Sequence, residues 1–390
     1  MALTTFIIAT YNRAHWLALT LENILRQRDA DWELLVVDDG STDNTAQLVQ
    51  SFHDPRVRYI YHEHGERSAA RNFGLKQARG EFVIFMDDDD FLHPAMLERA
   101  RQVYAATGAD VVYHGSRVMD HTGALLPQAP FIPTRRDDML RALLVENFGL
   151  SFALLKRAAV ERVGGFDVSL SAAEDWDLWI RLAAAGCAFA FVPEALFYYR
   201  MHADNTIRDW KRMEASSRFV LERALATWPQ ATAPYRQIAL ARQALREALR
   251  RAFYRDLAGA QQKLSVAFSA DPALAADLDV FYQVACATQP NGYKGTLEYL
   301  DLTYGAEFLL GALEQTFARA DSIAASRNAA FALAHETLAR LYYAQRELKL
   351  ARRHFRRALR YQPTRALRRE VTLTWFKAML PAAWLRQPAA

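Results

Sequence analysis

Three short apolar runs, Thr5–Ala9 (TFIIA), Glu33–Val37 (ELLVV) and Phe82–Phe85 (FVIF), each stop abruptly at a polar loop. Runs with no polar alternation read as strands buried on both faces, as in parallel sheets whose crossovers cover both sides. Between the first two lies Trp16–Arg28, with Leu17, Leu21, Ile24 and Leu25 at helical spacing. Thr42–Phe52 follows the second, after a Gly-Ser-Thr-Asp cluster able to cap a helix. Strand–helix–strand–helix order predicts an α/β layer with a mostly parallel sheet. In such sheets ligands sit at the carboxyl ends of the strands. The loops Thr10–Arg13, Asp38–Asp43 and Asp87–Asp90 all occupy such ends.

The pattern changes near residue 211. Strand-like runs vanish and alanine-rich helical periodicity takes over, so 1–210 reads as an α/β domain and 211–390 as an all-α domain. Ala339, Tyr342, Ala351, Phe355, Ala358 and Pro363 follow the spacing of the roughly 34-residue tetratricopeptide helix pair, where small residues let helices pack closely. Ala248, Ala260, Ala267 and Pro272 echo it, so hairpins are predicted at about 239–272 and 332–365. Charge divides in the same way. Residues 1–210 hold 21 Lys and Arg against 29 Asp and Glu; residues 211–390 hold 27 against 15. An acidic domain suits anionic ligands bridged by a cation, and a basic one suits an acidic surface or a protein partner. No nucleic-acid-reading motif accompanies the charge. Between Lys349 and Lys377 there are ten basic residues and one acidic one, Glu370, and Trp375, Phe376, Met379, Leu380 and Trp384 are interleaved with Lys377 and Arg386. This predicts a basic, aromatic C-terminal helix able to lie on an anionic membrane, in competition with a plain hairpin capped by arginines.

Composition removes several classes. With 52% apolar and 24% charged residues the chain is not disordered. The longest uncharged stretches, such as Leu182–Pro193 and Val280–Tyr293, fall short of the ~18 apolar residues a membrane span needs. The opening MALTTFIIATYNR lacks a basic leader before a long apolar region, and two cysteines, Cys187 and Cys286, cannot build a disulfide framework or an all-cysteine zinc site. The expectation is a cytoplasmic protein, with peripheral contact at the inner face of the membrane through its basic tail.

Four consecutive carboxylates, Asp87 to Asp90, directly follow a buried strand. They repel one another, so a fold tolerates them best where a cation neutralises some of them. In extended backbone Asp87 and Asp89 share a side, and all-oxygen ligands of this kind suit Mg²⁺ or Mn²⁺. Arg67 and Arg71, one helical turn apart, can reach one phosphate region. Glu174 and Asp175 begin a helix whose apolar positions are Trp176, Trp179, Ile180 and Leu182. Acidic residues suit a first helical turn without any function, and they also suit a carboxylate base at a site mouth. Trp176 is a candidate platform for an acceptor sugar, and His202 a candidate third metal ligand.

Taken together, ATYNR, VVDDGSTDNT, SAARNFGLKQARGEF, FMDDDDFLHP, GGFD, EDWDLWIRLA and YRMH stand in an order and spacing that resembles the inverting, family-2-type glycosyltransferases over residues 3 to about 205. The resemblance implies the single-lobed nucleotide-diphospho-sugar transferase fold (GT-A), a Rossmann-like mixed sheet flanked by helices. It implies a nucleotide-diphosphate sugar donor, usually UDP-linked, a divalent metal, and a saccharide, lipid-linked or protein acceptor. By the same resemblance Thr10, Tyr11 and Asn12 line the nucleoside pocket, Ala9 and Arg13 also lie at the donor, and Asp39 accepts from the base. Asp87 and Asp88 lie at the donor, Asp87, Asp89 and His202 at the metal, and Arg67 and Arg71 near the diphosphate. Asp175 matches the catalytic base, with Glu174 beside it. The competing reading is a non-catalytic sugar-nucleotide-binding scaffold acting through its tetratricopeptide-like helices. A membrane-embedded polysaccharide synthase lacks its spanning helices here, and a sugar nucleotidyltransferase its glycine-rich basic loop.

Overall fold

The computed structural model describes residues 3–127, 130–132, 136–146, 148, 152–202, 209–289, 300–319 and 321–367. It divides into two compact units, Met1–Tyr235 and Arg236–Ala390.

In the first unit the strands are β1 (Thr4–Thr10), β2 (Trp32–Asp38), β3 (Val57–Tyr61), β4 (Phe82–Met86), β5 (Phe91–Leu92), β6 (Val111–Met119), β7 (Leu154–Lys156) and β8 (Phe189–Arg200). They form one sheet of eight strands in the order β3-β2-β1-β4-β7-β6-β8-β5. The three predicted runs lie within β1, β2 and β4, which are parallel neighbours. The sheet is nevertheless mixed: β7 is antiparallel to both β4 and β6, and β5 is antiparallel to β8. The helices are α1 (Ala14–Ile24), α2 (Thr45–Ser51), α3 (Glu66–Gln77), α4 (Met96–Thr107), α5 (Met139–Val145), α6 (Arg157–Arg162), α7 (Glu174–Ala184), α8 (Trp210–Thr227) and the short α9 (Pro229–Thr232).

Leu17, Leu21 and Ile24 of α1 and Leu97 and Ala100 of α4 share one core with Phe6, Ile8, Leu34, Val36, Ile84 and Met86 of the sheet. α3 lies close against the sheet at Gly74, where a Cβ would come within 2.5 Å of Ile7 Cγ2. After β1 the chain moves outward through β2 and β3, then returns to place β4 on the other side of β1. That reversal opens a crevice at the carboxyl ends of β1 and β4, where sheets of this kind bind ligands.

The division expected after residue 210 falls short of the compact unit's end at Tyr235, which takes in α8 and α9 as well. Arg223 of α8 pairs with Asp167 and with Asp177 of α7, so α8 packs with the sheet unit. Helical periodicity marks a helix but does not say which neighbour it packs against.

The second unit contains α10 (Arg236–Phe253), α11 (Leu257–Ala270), α12 (Leu278–Ala285), α13 (Leu302–Arg319), α14 (Arg327–Ala344) and α15 (Leu348–Tyr361). Both spans expected as hairpins are helix pairs, α10 with α11 and α14 with α15, and each is followed by a 3₁₀ turn beginning at Pro272 or Pro363. Ala248, Ala260 and Ala267 are fully buried in one core, and Ala339 packs on Phe355. The basic aromatic helix expected toward the C-terminus lies outside the described residues. Among the described residues no helix is long and apolar enough to cross a membrane.

Candidate functional site

The pairing of Ile8 with Met86 sets the end of β1 beside the four aspartates that follow β4. Thr10 Oγ1 donates to Asp88 Oδ2 at 2.7 Å, and the Thr20 hydroxyl donates to the Asp88 and Asp90 carbonyls, which fixes the turn from behind. Arg13 spans the cluster. Its Nη1 lies 2.8 Å from Asp88 Oδ1, and its Nη2 lies 2.8 Å from Asp89 Oδ2 and 3.2 Å from His202 Nε2. His202 Nε2 is itself 2.8 Å from Asp89 Oδ2, with its ring stacked on Trp16. Asp90 points inward and accepts from the Arg200 backbone N–H at 2.7 Å, while its Oδ2 has no hydrogen-bond partner.

Burial pushes the Asp88 carboxyl up to about 7, with the Asp89 charge adding to it against the pull of Arg13. Asp90 is raised well above the usual carboxylate range by burial and by the charges on Asp89 and Asp87. Asp87 goes the other way: burial opposes its charge, but the Arg71 and Arg67 guanidiniums outweigh it and hold the carboxyl low. Asp87, Asp89 and Asp90 each offer a carboxylate oxygen within 4.8 Å of the others. A largely buried cluster of oxygen ligands with an orphaned Asp90 oxygen fits a hard divalent cation. Of the expected set, Asp87 and Asp89 converge, His202 joins through Asp89, and Asp90 is an additional member.

A cavity of about 360 Å³ opens over these carboxylates. Ala9, Thr10, Tyr11 and Arg13 line it from the end of β1, Asp39 from beyond β2, Asp87 to Asp89 from beyond β4, and Arg67 from α3. At one end Asp39 accepts from His62 Nδ1 at 2.8 Å, from His64 Nδ1 at 2.9 Å and from the Gly65 N–H at 3.0 Å. Tyr11 stacks on His64 with ring centres 4.4 Å apart, giving a flat aromatic wall. The two histidines escaped the sequence reading, although the His-Glu-His-Gly following β3 was a visible signal. Arg212 of α8 also lines this cavity and was placed by sequence in the helical domain. Asn12, expected in the nucleoside pocket, is a correction. Its Oδ1 accepts from Thr42 N at 2.7 Å, so its side chain ties the two strand-end loops together.

A second cavity of about 200 Å³ adjoins the first, sharing Arg67, Asp87, Glu174 and Tyr199 as lining residues. Its remaining wall is largely aromatic, with Phe85, Phe152, Phe166 and Trp179 around Asp175. Arg71 also lies here, which corrects its expected place at the diphosphate. Its Nη2 donates to Asp87 Oδ1 at 2.5 Å and its Nη1 to Glu174 Oε1 at 2.9 Å, so a nearly buried guanidinium struts one cavity against the other. Burial pushes Asp175 up to about 6, and the charge on Glu174 adds to that rise. Glu174 is held low by Arg71 and Arg67 in spite of its own burial.

Trp176 is a second correction. It is 0% exposed, and its indole N–H donates to the Leu143 carbonyl at 2.8 Å, so it is a core residue and not a platform for a sugar. Trp179, one turn further along α7, takes the place facing the cavity. Both tryptophans sit at apolar positions of the same helix, so spacing alone did not separate them.

Residues 5–164 match the family described as Glycosyl transferase family 2. The succinoglycan biosynthesis protein ExoO of Rhizobium meliloti is 30% identical over 217 residues, covering 52% of this chain and 62% of that protein. The UDP-Glc:alpha-D-GlcNAc-diphosphoundecaprenol beta-1,3-glucosyltransferase WfgD of Escherichia coli is 27% identical over 194 residues, covering 48% and 74%. Among solved structures, Staphylococcus aureus TarS 1-349 in complex with UDP-GlcNAc is 18% identical with a TM-score of 0.47, covering 70% of this chain and 92% of that one, a loose likeness. The chain spans about 65% of the length of the uncharacterized glycosyltransferases of Rickettsia it also matches.

Proposed function

We propose that this chain, whose residues 5–164 match the Glycosyl transferase family 2 description, is a glycosyltransferase that carries out an inverting transfer from a nucleotide-diphosphate sugar, UDP-linked, to an acceptor hydroxyl. The observation that carries this reading is the pair of adjoining cavities. One is floored by carboxylates and the other holds a raised Asp175, with Asp87 and Glu174 on the shared wall.

The nucleoside rests against Tyr11 and His64, with Asp39 at the edge of the base, and the diphosphate reaches Arg13 and the aspartates. Asp87, Asp89 and His202, with Asp90 behind them, would hold Mn²⁺ or Mg²⁺. Such an ion neutralises the charge that grows on a departing diphosphate. The acceptor occupies the aromatic cavity with its hydroxyl at Asp175. That carboxylate takes the hydroxyl proton while the oxygen forms its bond to the anomeric carbon. The anomeric carbon–oxygen bond to the diphosphate breaks on the opposite face, and its electron pair leaves on the phosphate oxygen. A carboxyl pushed up to about 6 is ionised at neutral pH yet more basic than an ordinary aspartate, which suits a general base. No observation favours the scaffold alternative over this one.

Purified protein screened against UDP-, GDP- and dTDP-sugars, with and without Mn²⁺, tests the reading. Metal-dependent release of one nucleotide diphosphate supports it, and no turnover of any donor alone or with saccharide and lipid-diphosphate acceptors overturns it.

A lipid-linked acceptor and contact with the inner membrane face are part of the same proposal. α15 buries Ala351, His354, Phe355 and Ala358 and leaves Lys349, Arg353, Arg356 and Arg360 exposed at helical spacing, a cationic stripe. Each such residue adds about 1 kcal/mol at an anionic bilayer. Replacing the three exposed arginines with Gln is expected to abolish flotation with anionic vesicles at low salt. Equal flotation of the variant and the parent would remove this contact.

A further inference from the structure

We propose that Arg13 is the resident counter-cation of the carboxylate cluster, so that free protein binds divalent metal weakly and binds it well only once a nucleotide diphosphate draws Arg13 away. The inference rests on the donor reading above.

Arg13 does not merely border the cluster. One guanidinium nitrogen lies 2.8 Å from Asp88 Oδ1, and the other lies 2.8 Å from Asp89 Oδ2 and 3.2 Å from His202 Nε2. Those last two atoms are ones a metal would use, and Asp89 Oδ2 is also held by His202 at 2.8 Å. The His202 Nε2 can accept from Arg13 or donate to Asp89, but not both, so the three groups form a saturated knot around a single carboxylate oxygen. A divalent ion on that oxygen would sit against the guanidinium, and the two positive charges repel. Without the guanidinium the buried aspartates would repel one another. Arg13 therefore both stabilises the empty cluster and competes for it.

The same side chain lines the larger cavity, with a quarter of its surface exposed, so it has a path to a bound diphosphate. The planar fork of a guanidinium pairs bidentately with phosphate as well as with carboxylate. A diphosphate offers Arg13 an alternative anion, and Asp89 and His202 are then released to the metal. Binding of nucleotide and metal is coupled through this one side chain, and such coupling acts equally in both directions.

The test is Mn²⁺ titration of the full chain without nucleotide, read by electron paramagnetic resonance of the free ion. Arg13→Met is expected to bind Mn²⁺ at least tenfold more tightly than the parent, and to bind UDP without metal at least tenfold more weakly. Arg13→Lys, whose compact ammonium cannot bridge Asp88 and Asp89 together, is expected to bind Mn²⁺ at least threefold more tightly than the parent, and it serves alone if Arg13→Met does not fold. Equal Mn²⁺ affinity of the parent and each folded variant overturns competition. Unchanged metal-free UDP binding by Arg13→Met overturns the transfer to diphosphate. The manganese comparison needs no turnover, so an inactive parent would sink the donor reading and leave this result standing.

Discussion

The helical unit and the cavity walls of the sheet unit treat buried charge in opposite ways. In the helical unit each buried acid on α10 and α14 has cationic partners: Glu336 takes Arg340 at 2.7 Å and also Arg365, and Glu247 takes Lys263 at 2.5 Å. Its buried imidazoles, His335 and His354, share a hydrogen bond of 3.0 Å and are held neutral, pushed down to about 3 and about 4 by burial. Around the cavities of the sheet unit acids are crowded together, and Asp88, Asp90 and Asp175 are all raised. Charges that serve a fold are neutralised in place, whereas charges that serve a reaction are left perturbed for a ligand to complete.

The largest expected effect separates the two kinds of acid. Asp175→Asn should reduce transfer by about 10²–10⁴-fold while donor affinity measured by calorimetry stays within a few-fold. Near-normal turnover would place Asp175 with the structural acids. Its counterpart is Glu336→Ala, which removes the carboxylate that Arg365 and Arg340 share and should destabilise the chain by about 3–5 kcal/mol in denaturant titration. A loss below ~1 kcal/mol would mean that the helical unit does not depend on its ion pairs.

Two pH experiments refine the contrast. The histidine pair binds protons more readily when unfolded, at the ordinary value of 6.5, than when folded. Its contribution to stability is therefore complete above that pH and falls as pH drops toward about 4 and about 3. Thermal melts from pH 7 to pH 4 should show this decline, and His335→Phe combined with His354→Phe should flatten it. In the sheet unit, transfer should fall on the acid side of about pH 6 as Asp175 becomes protonated. Glu174→Gln removes the nearby negative charge, so that acid limb should move to lower pH in a kcat profile. A limb that stays in place would deny Glu174 its electrostatic influence on the base. This is the smallest effect of the four.

Much of the fold was readable because buried parallel strands leave uninterrupted apolar runs, and β1, β2 and β4 contain all three of those runs. The alanines of the helical hairpins were readable for a related reason: close helix contacts exclude larger side chains. Residues whose partners are distant in sequence were harder to read. Arg71 looked free to hold phosphate, yet its partner Glu174 lies 103 positions away. Trp176 and Trp179 share one apolar pattern, and the Leu143 carbonyl decides which of them is core. Asn12 bonds across to a loop 30 positions on.

By itself the sequence determined the kinds of element, the polar strand ends and the concentration of carboxylates after β4, since these follow from local periodicity and composition. Tertiary structure alone decided which carboxylates face a cavity, which arginines are already spent on them, and that two cavities share a wall between Asp87 and Asp175. Hydrogen-bond and ion-pair geometry is satisfied between groups the folded chain brings together, and no spacing along the chain records which groups those are.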